Sequence, residues 1–309
     1  MTERSDSEGA SIRTIAVATD FSETAFAALE CAGVLAKEHA ARIVLIHVMS
    51  LHAYPLGGPR LLVVPPDLEG RIREASLQAL EGLQEEVRGW GVEIQAELDD
   101  GPVVETLLDV AEREAADLMV VGTRGTTGFE HLLLGSTAES LVRQAGFPVL
   151  TIHPADAEPL RDVRTVLIPT DFSRDAVHAC QKLGQLLAGR PEPPRIVLLH
   201  VYSIPAELVP PLGSLPAPAI LAADARDLAH EALTPVAERL RALGFPVEIM
   251  GREGETATVV IQVADSVAAD LIAMGTRGHS RAREIFLGST AHRVVQHGPC
   301  PVLTVRHAD

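Results

Sequence analysis

The stretch GTRGTTGFEHLLLGST, Gly122 to Thr137, recurs as GTRGHSRAREIFLGST, Gly275 to Thr290. Both read Gly-Thr-Arg-Gly, nine intervening residues, then Gly-Ser-Thr. Each copy follows a short apolar run, Leu118–Val121 or Leu271–Met274, with the look of a buried parallel strand. Each leads into the start of a helix. Glycines between a strand end and a helix start let backbone N–H groups approach a ligand closely, where the helix N-terminus favours an anion. The same glycines would also serve simple tight turns; two copies with one spacing favour the phosphate-binding reading.

Working outward, the first copy sits late in an alternation of strands and helices. Met1–Ser11 is small and polar, a frayed tail. Ile12–Thr19 reads as a strand ending in Thr19-Asp20-Phe21-Ser22, with Ser22 the natural N-cap of a helix from Glu23 to about His39. Arg42–Met49 is a second strand. Ser50–Pro66, with Pro55, Pro59, Pro65, Pro66 and the breakers Gly57-Gly58-Pro59, reads as a long loop. Asp67–Arg88 spaces Leu68, Ile72, Ala75, Ala79, Leu83 and Val87 along one helical face, and Gly91 follows its end. Val92–Leu98 alternates as a third strand, and Gly101-Pro102 opens a helix to about Ala115. After the glycine stretch come a helix, Ser136 to about Ala145, and a last strand, Pro148–His153.

The pattern then restarts. Thr165–Pro169 is a strand, Thr170-Asp171-Phe172-Ser173 repeats Thr19–Ser22, and Arg195–Tyr202 mirrors the second strand. Gly122 and Gly275, His47 and His200, and Pro148 and Pro301 are all offset by 153 residues, whereas Asp20 and Asp171 are offset by 151. Two residues therefore entered between the first helix and second strand, where Gly189-Arg190-Pro191-Glu192-Pro193-Pro194 stands. The chain is an internal duplication, residues 1–155 and 156–309, with Ala155–Asp162 as linker. Alternating strands and helices give each half a doubly wound parallel sheet.

The chain has 309 residues, 47% hydrophobic and only 3% aromatic, so its core is aliphatic. A formal net charge of −16 argues against a nucleic-acid or anionic-membrane partner, since phosphate backbones need clustered Lys and Arg. A bound anion would need local donors and a metal ion. Cys31, Cys180 and Cys300 form no Cys-x-x-Cys, which suits reduced, buried thiols in a cytoplasmic protein. No apolar run approaches the roughly 18–20 residues of a membrane span.

Ligands of such sheets bind beyond the carboxyl ends of strands, where strand order reverses. The Asp20 and Gly122 segments, like the Asp171 and Gly275 segments, lie at carboxyl ends. With the first and fourth strands adjacent, a carboxylate and a glycine nest face one crevice, an arrangement suited to a nucleotide's sugar and phosphates. Arg124 and Arg277, with Arg281 and Arg283, stand near enough in sequence to counter phosphate charge, or are simply solvated. Ser136 also begins Ser-Thr-Ala-Glu139, a capping box that would occupy its hydroxyl. Asp20 and Asp171 are alternatively turn formers, and His47 and His200 read as packed side chains.

Gly-x-x-Gly, nine residues, Gly-Ser-Thr, together with the Asp20-like and His-Val elements, resembles the universal stress protein family in its ATP-binding subclass, in tandem form. The resemblance covers both halves nearly end to end. It implies a five-stranded parallel sheet, order 3-2-1-4-5, with helices on both faces. It implies ATP, AMP or ADP as ligand, with Mg or Mn carried by the phosphates. Asp20 and Asp171 would contact the ribose side, and the backbone at Val48 and Val201 would read adenine. Gly122, Gly125, Gly275 and Gly278 would line ribose and phosphates; Gly135, Ser136, Thr137, Gly288, Ser289 and Thr290 would hold the phosphates. The family often has Pro two residues before the Asp; Pro169 matches and Ala18 departs.

The resemblance points to a nucleotide-dependent regulatory protein of the stress response, with an unknown protein partner. The alternative is a slow ATPase or adenylyl-transfer enzyme of a related fold, against which no Gly-x-x-x-x-Gly-Lys-Ser/Thr loop occurs. No lysine stands in either fingerprint, so hydrolysis is expected to be weak at most. The terminal strands, Pro148–His153 and Pro301–His307, would be bare edges, and the two halves are expected to cover them as an internal pseudo-dimer, with a homodimer of chains left open. The loops Ser50–Pro66 and Ser203–Ala223 are expected to cover the sites.

Overall fold

The computed structural model describes residues 12–50, 55–56, 60–61, 66–124, 134–153, 160–188, 190–203, 217–277 and 287–306. The chain divides into two compact units, Met1–Pro159 and Leu160–Asp309. The first contains β1 (Thr14–Ala18), α1 (Glu23–His39), β2 (Arg42–Met49), β3 (Pro55–Leu56), β4 (Arg60–Leu61), α2 (Pro66–Val87), β5 (Ile94–Asp100), α3 (Val103–Arg113), β6 (Leu118–Gly122), α4 (Ser136–Gln144) and β7 (Val149–Ile152). The second contains β8 (Thr165–Pro169), α5 (Arg174–Leu186), β9 (Arg195–Tyr202), α6 (Ala217–Ala242), β10 (Val247–Glu253), α7 (Thr256–Ser266), β11 (Leu271–Gly275), α8 (Ser289–His297) and β12 (Val302–Val305).

Within the first unit the parallel order is β5-β2-β1-β6-β7, and within the second β10-β9-β8-β11-β12. Numbered along each unit, both are 3-2-1-4-5. The central strands are continuous aliphatic runs because helices cover them: every residue of β1, β6 up to Val121, and β8 is buried. Truncating one such side chain, the fully buried Leu45 for instance, should cost about 2–5 kcal/mol. The small residues Ala25, Ala28, Ala32 and Ala36, at helical spacing, form much of the buried face of α1, which packs on β1 and β6. Gly33 continues that logic: a methyl group there would lie 2.5 Å from the Trp90 ring.

A carboxylate starts the first strand of each unit. Asp117 Oδ2 accepts the backbone N–H groups of Arg13 and Thr14 at 2.8 and 3.1 Å, and Asp270 Oδ2 those of Arg164 and Thr165 at 2.8 Å each. These aspartates link the entrance of β6 or β11 to its neighbour.

Several boundaries differ from the sequence reading. The third strand begins at Ile94 rather than Val92 and runs on to Asp100, because it follows β2 in register from Ile43↔Ile94 to Met49↔Asp100. Pro102 is the N-cap of α3, one residue before the helix. The buried positions of α2 are Ser76, Leu80 and Val87, while Leu68 is 40% exposed, so its inner face is rotated from the expected stripe. The loop 50–66 contains an antiparallel ribbon, β3 with β4. The rest of that loop, and most of 203–223, lie outside the described residues, as does most of the linker.

Candidate functional site

Parallel pairing sets Ile15 opposite Leu118 and Val17 opposite Val120, so β1 and β6 are neighbours where the strand order reverses. In the second unit Val166 pairs with Leu271 and Leu167 with Ile272. The carboxyl ends carrying Asp20 and Gly122, and Asp171 and Gly275, are therefore adjacent.

After β1 the backbone folds through two short side-chain turns. Thr19 Oγ1 accepts the N–H of Phe21 at 3.1 Å, and Asp20 Oδ1 accepts that of Ser22 at 3.1 Å. Ser22 then caps α1 by accepting the N–H of Ala25 at 3.2 Å. The second unit repeats each contact through Thr170, Asp171 and Ser173, at 3.1, 3.0 and 3.3 Å. Both aspartates thus shape the turn at the strand end.

Between these contacts Phe21 and Phe172 adopt left-handed backbone, φ 64° and 66°, an unfavourable region for a bulky residue. Each ring tilts against a histidine: Phe21 on His47 at 4.4 Å between centroids, Phe172 on His200 at 4.9 Å. Each histidine Nδ1 lies 2.8 or 2.9 Å from the carbonyl oxygen of Thr19 or Thr170. The same phenylalanine–histidine contact packs against the turn in both units. Spacing alone does not announce it, although Asp-Phe-Ser and His-Val both recur. Val48 and Val201 follow these histidines in register with Asp99 and Arg252.

Gly122 ends β6 against the first turn of α1. A methyl group there would lie 2.8 Å from Thr24 Cγ2 and 3.1 Å from the Thr24 carbonyl carbon and oxygen. At Gly275 it would lie 2.6 Å from Asp175 Cβ, 2.8 Å from the Asp175 carbonyl carbon and 2.9 Å from the Ala176 nitrogen. These two glycines let strand and helix touch, a packing role the fingerprint does not announce.

Gly135 is the N-cap of α4, and no side chain caps that helix. Its own N–H bonds the Thr123 carbonyl at 2.8 Å, closing the segment between them, and its carbonyl accepts the N–H of Glu139 at 3.0 Å. Ser136, Thr137 and Ala138 are thus the first three helical positions, whose N–H groups have no intrahelical acceptor. Gly288 does the same for α8: its N–H meets Thr276 O at 2.9 Å, and His292 N–H meets its carbonyl at 2.9 Å. The capping box expected at Ser136 does not form, because Gly135 is the cap and Ser136 is already inside the helix. Ser136 and Ser289 are exposed, and Thr137 and Thr290 half-buried. Gly125 and Gly278 lie outside the described residues, as do Arg281 and Arg283.

At one buried position beside the glycine stretch the two units differ in charge. Asp175, 4% exposed, sits where the first unit has Thr24. Its Oδ2 accepts Thr276 Oγ1–H at 3.3 Å, the Arg277 backbone N–H at 3.1 Å and Arg277 Nε–H at 3.2 Å. In the first unit Arg124 is exposed, and the Thr123 hydroxyl is buried without a hydrogen-bond partner. A second difference lies at the helix starts beside the site. Glu255 caps α7 by accepting the N–H groups of Ala257 and Thr258 at 3.2 and 2.9 Å, and it pairs with Arg293 of α8 at 2.8 Å. Hydrogen bonds from the Thr258 hydroxyl and N–H, with smaller help from Ala257 and Arg293, hold its carboxyl down to about 2. The corresponding positions in the first unit are Pro102 and Ser140, which line an open cleft with Ser136 and Thr137.

Two doubly wound units, each with a glycine-capped helix following a strand whose neighbour ends in an aspartate turn, define a duplicated parallel α/β protein. The chain belongs to the universal stress protein family, whose model matches residues 11–153 and 162–306. It is 30% identical over 297 residues to a universal stress protein of Mycolicibacterium smegmatis, covering 94% of this chain and 96% of that one. It is 32% identical over 147 residues to a universal stress protein of Methanocaldococcus jannaschii, covering 47% of this chain and 84% of that one. The solved structure of a universal stress protein from Archaeoglobus fulgidus superposes with TM-score 0.70 at 22% identity, over 96% of this chain and 97% of that chain; it bears on the fold alone.

Proposed function

We propose that each unit binds an adenine nucleotide, ATP or its di- or monophosphate, and that the chain acts as a nucleotide-dependent regulatory protein in the cytoplasm. One observation carries this reading. In both units a helix begins on glycine, with no side-chain cap, after a strand whose paired neighbour ends in an aspartate turn. First-turn N–H groups and the hydroxyls of Ser136 and Thr137, or Ser289 and Thr290, form a donor set suited to phosphate oxygens. Asp20 and Asp171 serve the ribose side, and the backbone at Val48 and Val201 serves the base. Arg124 and Arg277 would counter phosphate charge, with Gly125 and Gly278 following them in sequence. Among the described residues no three His, Cys, Asp or Glu side chains gather to hold a metal ion. A divalent Mg or Mn ion would travel with the phosphates.

Chemistry beyond binding needs a base or water-orienting group at the γ-phosphate and cations on the transferring group. Asp20 and Asp171, assigned to the nucleoside end, do not provide the first. The protein therefore binds ATP and turns it over slowly or not at all. The test is to denature the purified chain and identify released nucleotide by mass spectrometry, while measuring phosphate release from added ATP. Retained adenine nucleotide with turnover well below about 1 per second supports the proposal. Turnover at or above that rate would make the chain an enzyme and overturn the regulatory reading.

A further inference from the structure

Among the described residues, Asp175 is a buried carboxylate that the duplication does not share. Asp175 stands in the first turn of α5, almost wholly buried, and its Oδ2 gathers three donors: a hydroxyl, a backbone N–H and a guanidinium Nε–H. Two of those donors belong to Arg277, the second residue after β11 and part of the repeated glycine stretch. A carboxylate held by hydroxyl, amide and guanidinium has the donor arrangement of a bound phosphate oxygen. The first unit lacks this internal anion. Thr24 takes the place of Asp175, and Thr123, the counterpart of Thr276, has its buried hydroxyl unpartnered.

We infer that Asp175 acts as an internal anion that competes with a ligand's phosphates for Arg277, making the second site selective against highly charged nucleotides. This rests on the nucleotide reading above and adds a residue that sets specificity. The reasoning is electrostatic. Asp175 and Arg277 together carry no net charge, so the arginine's attraction for a polyanion is offset by a carboxylate 3.2 Å from its Nε. The penalty grows with ligand charge: large for ATP, smaller for AMP, absent for adenosine. The sequence of the second loop adds Arg281, Arg283 and Glu284, but these are unchanged when Asp175 alone is altered.

The duplication supplies its own tolerated substitutions. Thr24 shows that this fold accepts threonine beside the strand-end glycine, and Asp175 shows that it accepts aspartate. The experiment titrates the intact chain calorimetrically with ATP, AMP and adenosine, as wild type, Asp175→Thr, Asp175→Asn and Thr24→Asp. The asparagine variant keeps the size of the side chain and removes only the charge. Thermal unfolding of each checks folding. Removing the charge should tighten one of the two ATP sites by about tenfold, AMP by less and adenosine not at all, the scale of one charge at short range in a partly screened site. Thr24→Asp should weaken ATP at the other site by roughly the same factor. Variants that bind nucleotide with an unchanged ATP-to-AMP ratio would overturn the inference and leave the nucleotide reading standing. Weaker ATP binding in both Asp175 variants would also overturn it, by making Asp175 a support that positions Arg277 for phosphate. A wild-type chain that binds none of the three ligands would overturn both proposals together.

Discussion

Alanine at Gly122 would place a methyl group 2.8 Å from Thr24 Cγ2 and 3.1 Å from the Thr24 backbone. Carbon atoms repel steeply at such distances, and the backbone of a helix start cannot swing aside as a flexible side chain can. Either α1 shifts or the end of β6 bends, a strain of about 1–3 kcal/mol. Alanine at Gly275 meets only 2.6–2.9 Å, mostly to backbone, and belongs at the upper end of that range. Gly146 supplies the control: its added methyl meets nothing within 4 Å, and alanine there should be neutral or stabilise by up to about 1 kcal/mol. Equilibrium urea unfolding of the three variants, followed by far-ultraviolet circular dichroism, reads the effect. With an m-value near 2 kcal/mol/M, a loss of 2 kcal/mol moves a midpoint by about 1 M. If Gly122→Ala and Gly275→Ala unfold where Gly146→Ala does, the packing argument fails and the glycines belong to the ligand alone. If they unfold early, loss of nucleotide in such variants says nothing about ligand contact.

Three further outcomes follow from single contacts. Glu255→Gln should lower the melting temperature at neutral pH, because the carboxylate with its pKa held down to about 2 stabilises the folded form above the ordinary value of 4.5. The gap from wild type should narrow as pH falls below about 4.5 and vanish near 2; a gap independent of pH would show that charge is not the cause. Asp117→Ala should cost about 1–3 kcal/mol in chemical denaturation, since the N–H groups of Arg13 and Thr14 lose their acceptor. Cys31, Cys180 and Cys300 are all buried, and burial raises the Cys180 thiol to about 11, so a thiol reagent should label none quickly at pH 8 and all three in denaturant. Rapid labelling of the native chain would contradict this.

The sequence disclosed the fold because its signals were physical and repeated. Uninterrupted aliphatic runs marked strands buried on both faces, and Ser22 and Ser173 announced their helices and do cap them. What failed to show was set by tertiary context. Ser136 and Glu139 have the spacing of a capping box, yet the bond between Gly135 N–H and Thr123 O starts the helix one residue earlier. Leu68 fits the apolar stripe of α2, but the sheet meets that helix further along, at Leu80 and Val87. An aspartate in a helix's first turn ordinarily reads as a favourable surface charge, so nothing local marks Asp175 as buried. Only its mismatch with Thr24 across the duplication could have marked it. Phe21 and Phe172 likewise gave no local sign of left-handed backbone, which becomes intelligible once their rings meet His47 and His200.

The adenine-nucleotide proposal gives each unit one site, built on a glycine-capped helix. Calorimetric titration of ATP with magnesium into the chain, after bound nucleotide has been stripped by mild denaturation and refolding, tests it most directly. Titration should saturate at one ATP per unit, about two per chain, with affinity lost one site at a time when Ser136-Thr137 or Ser289-Thr290 is replaced by a pair of glutamates at the helix start, where added negative charge repels phosphate. A refolded chain that takes up no ATP at millimolar concentration, or binding that survives both replacements, would contradict it.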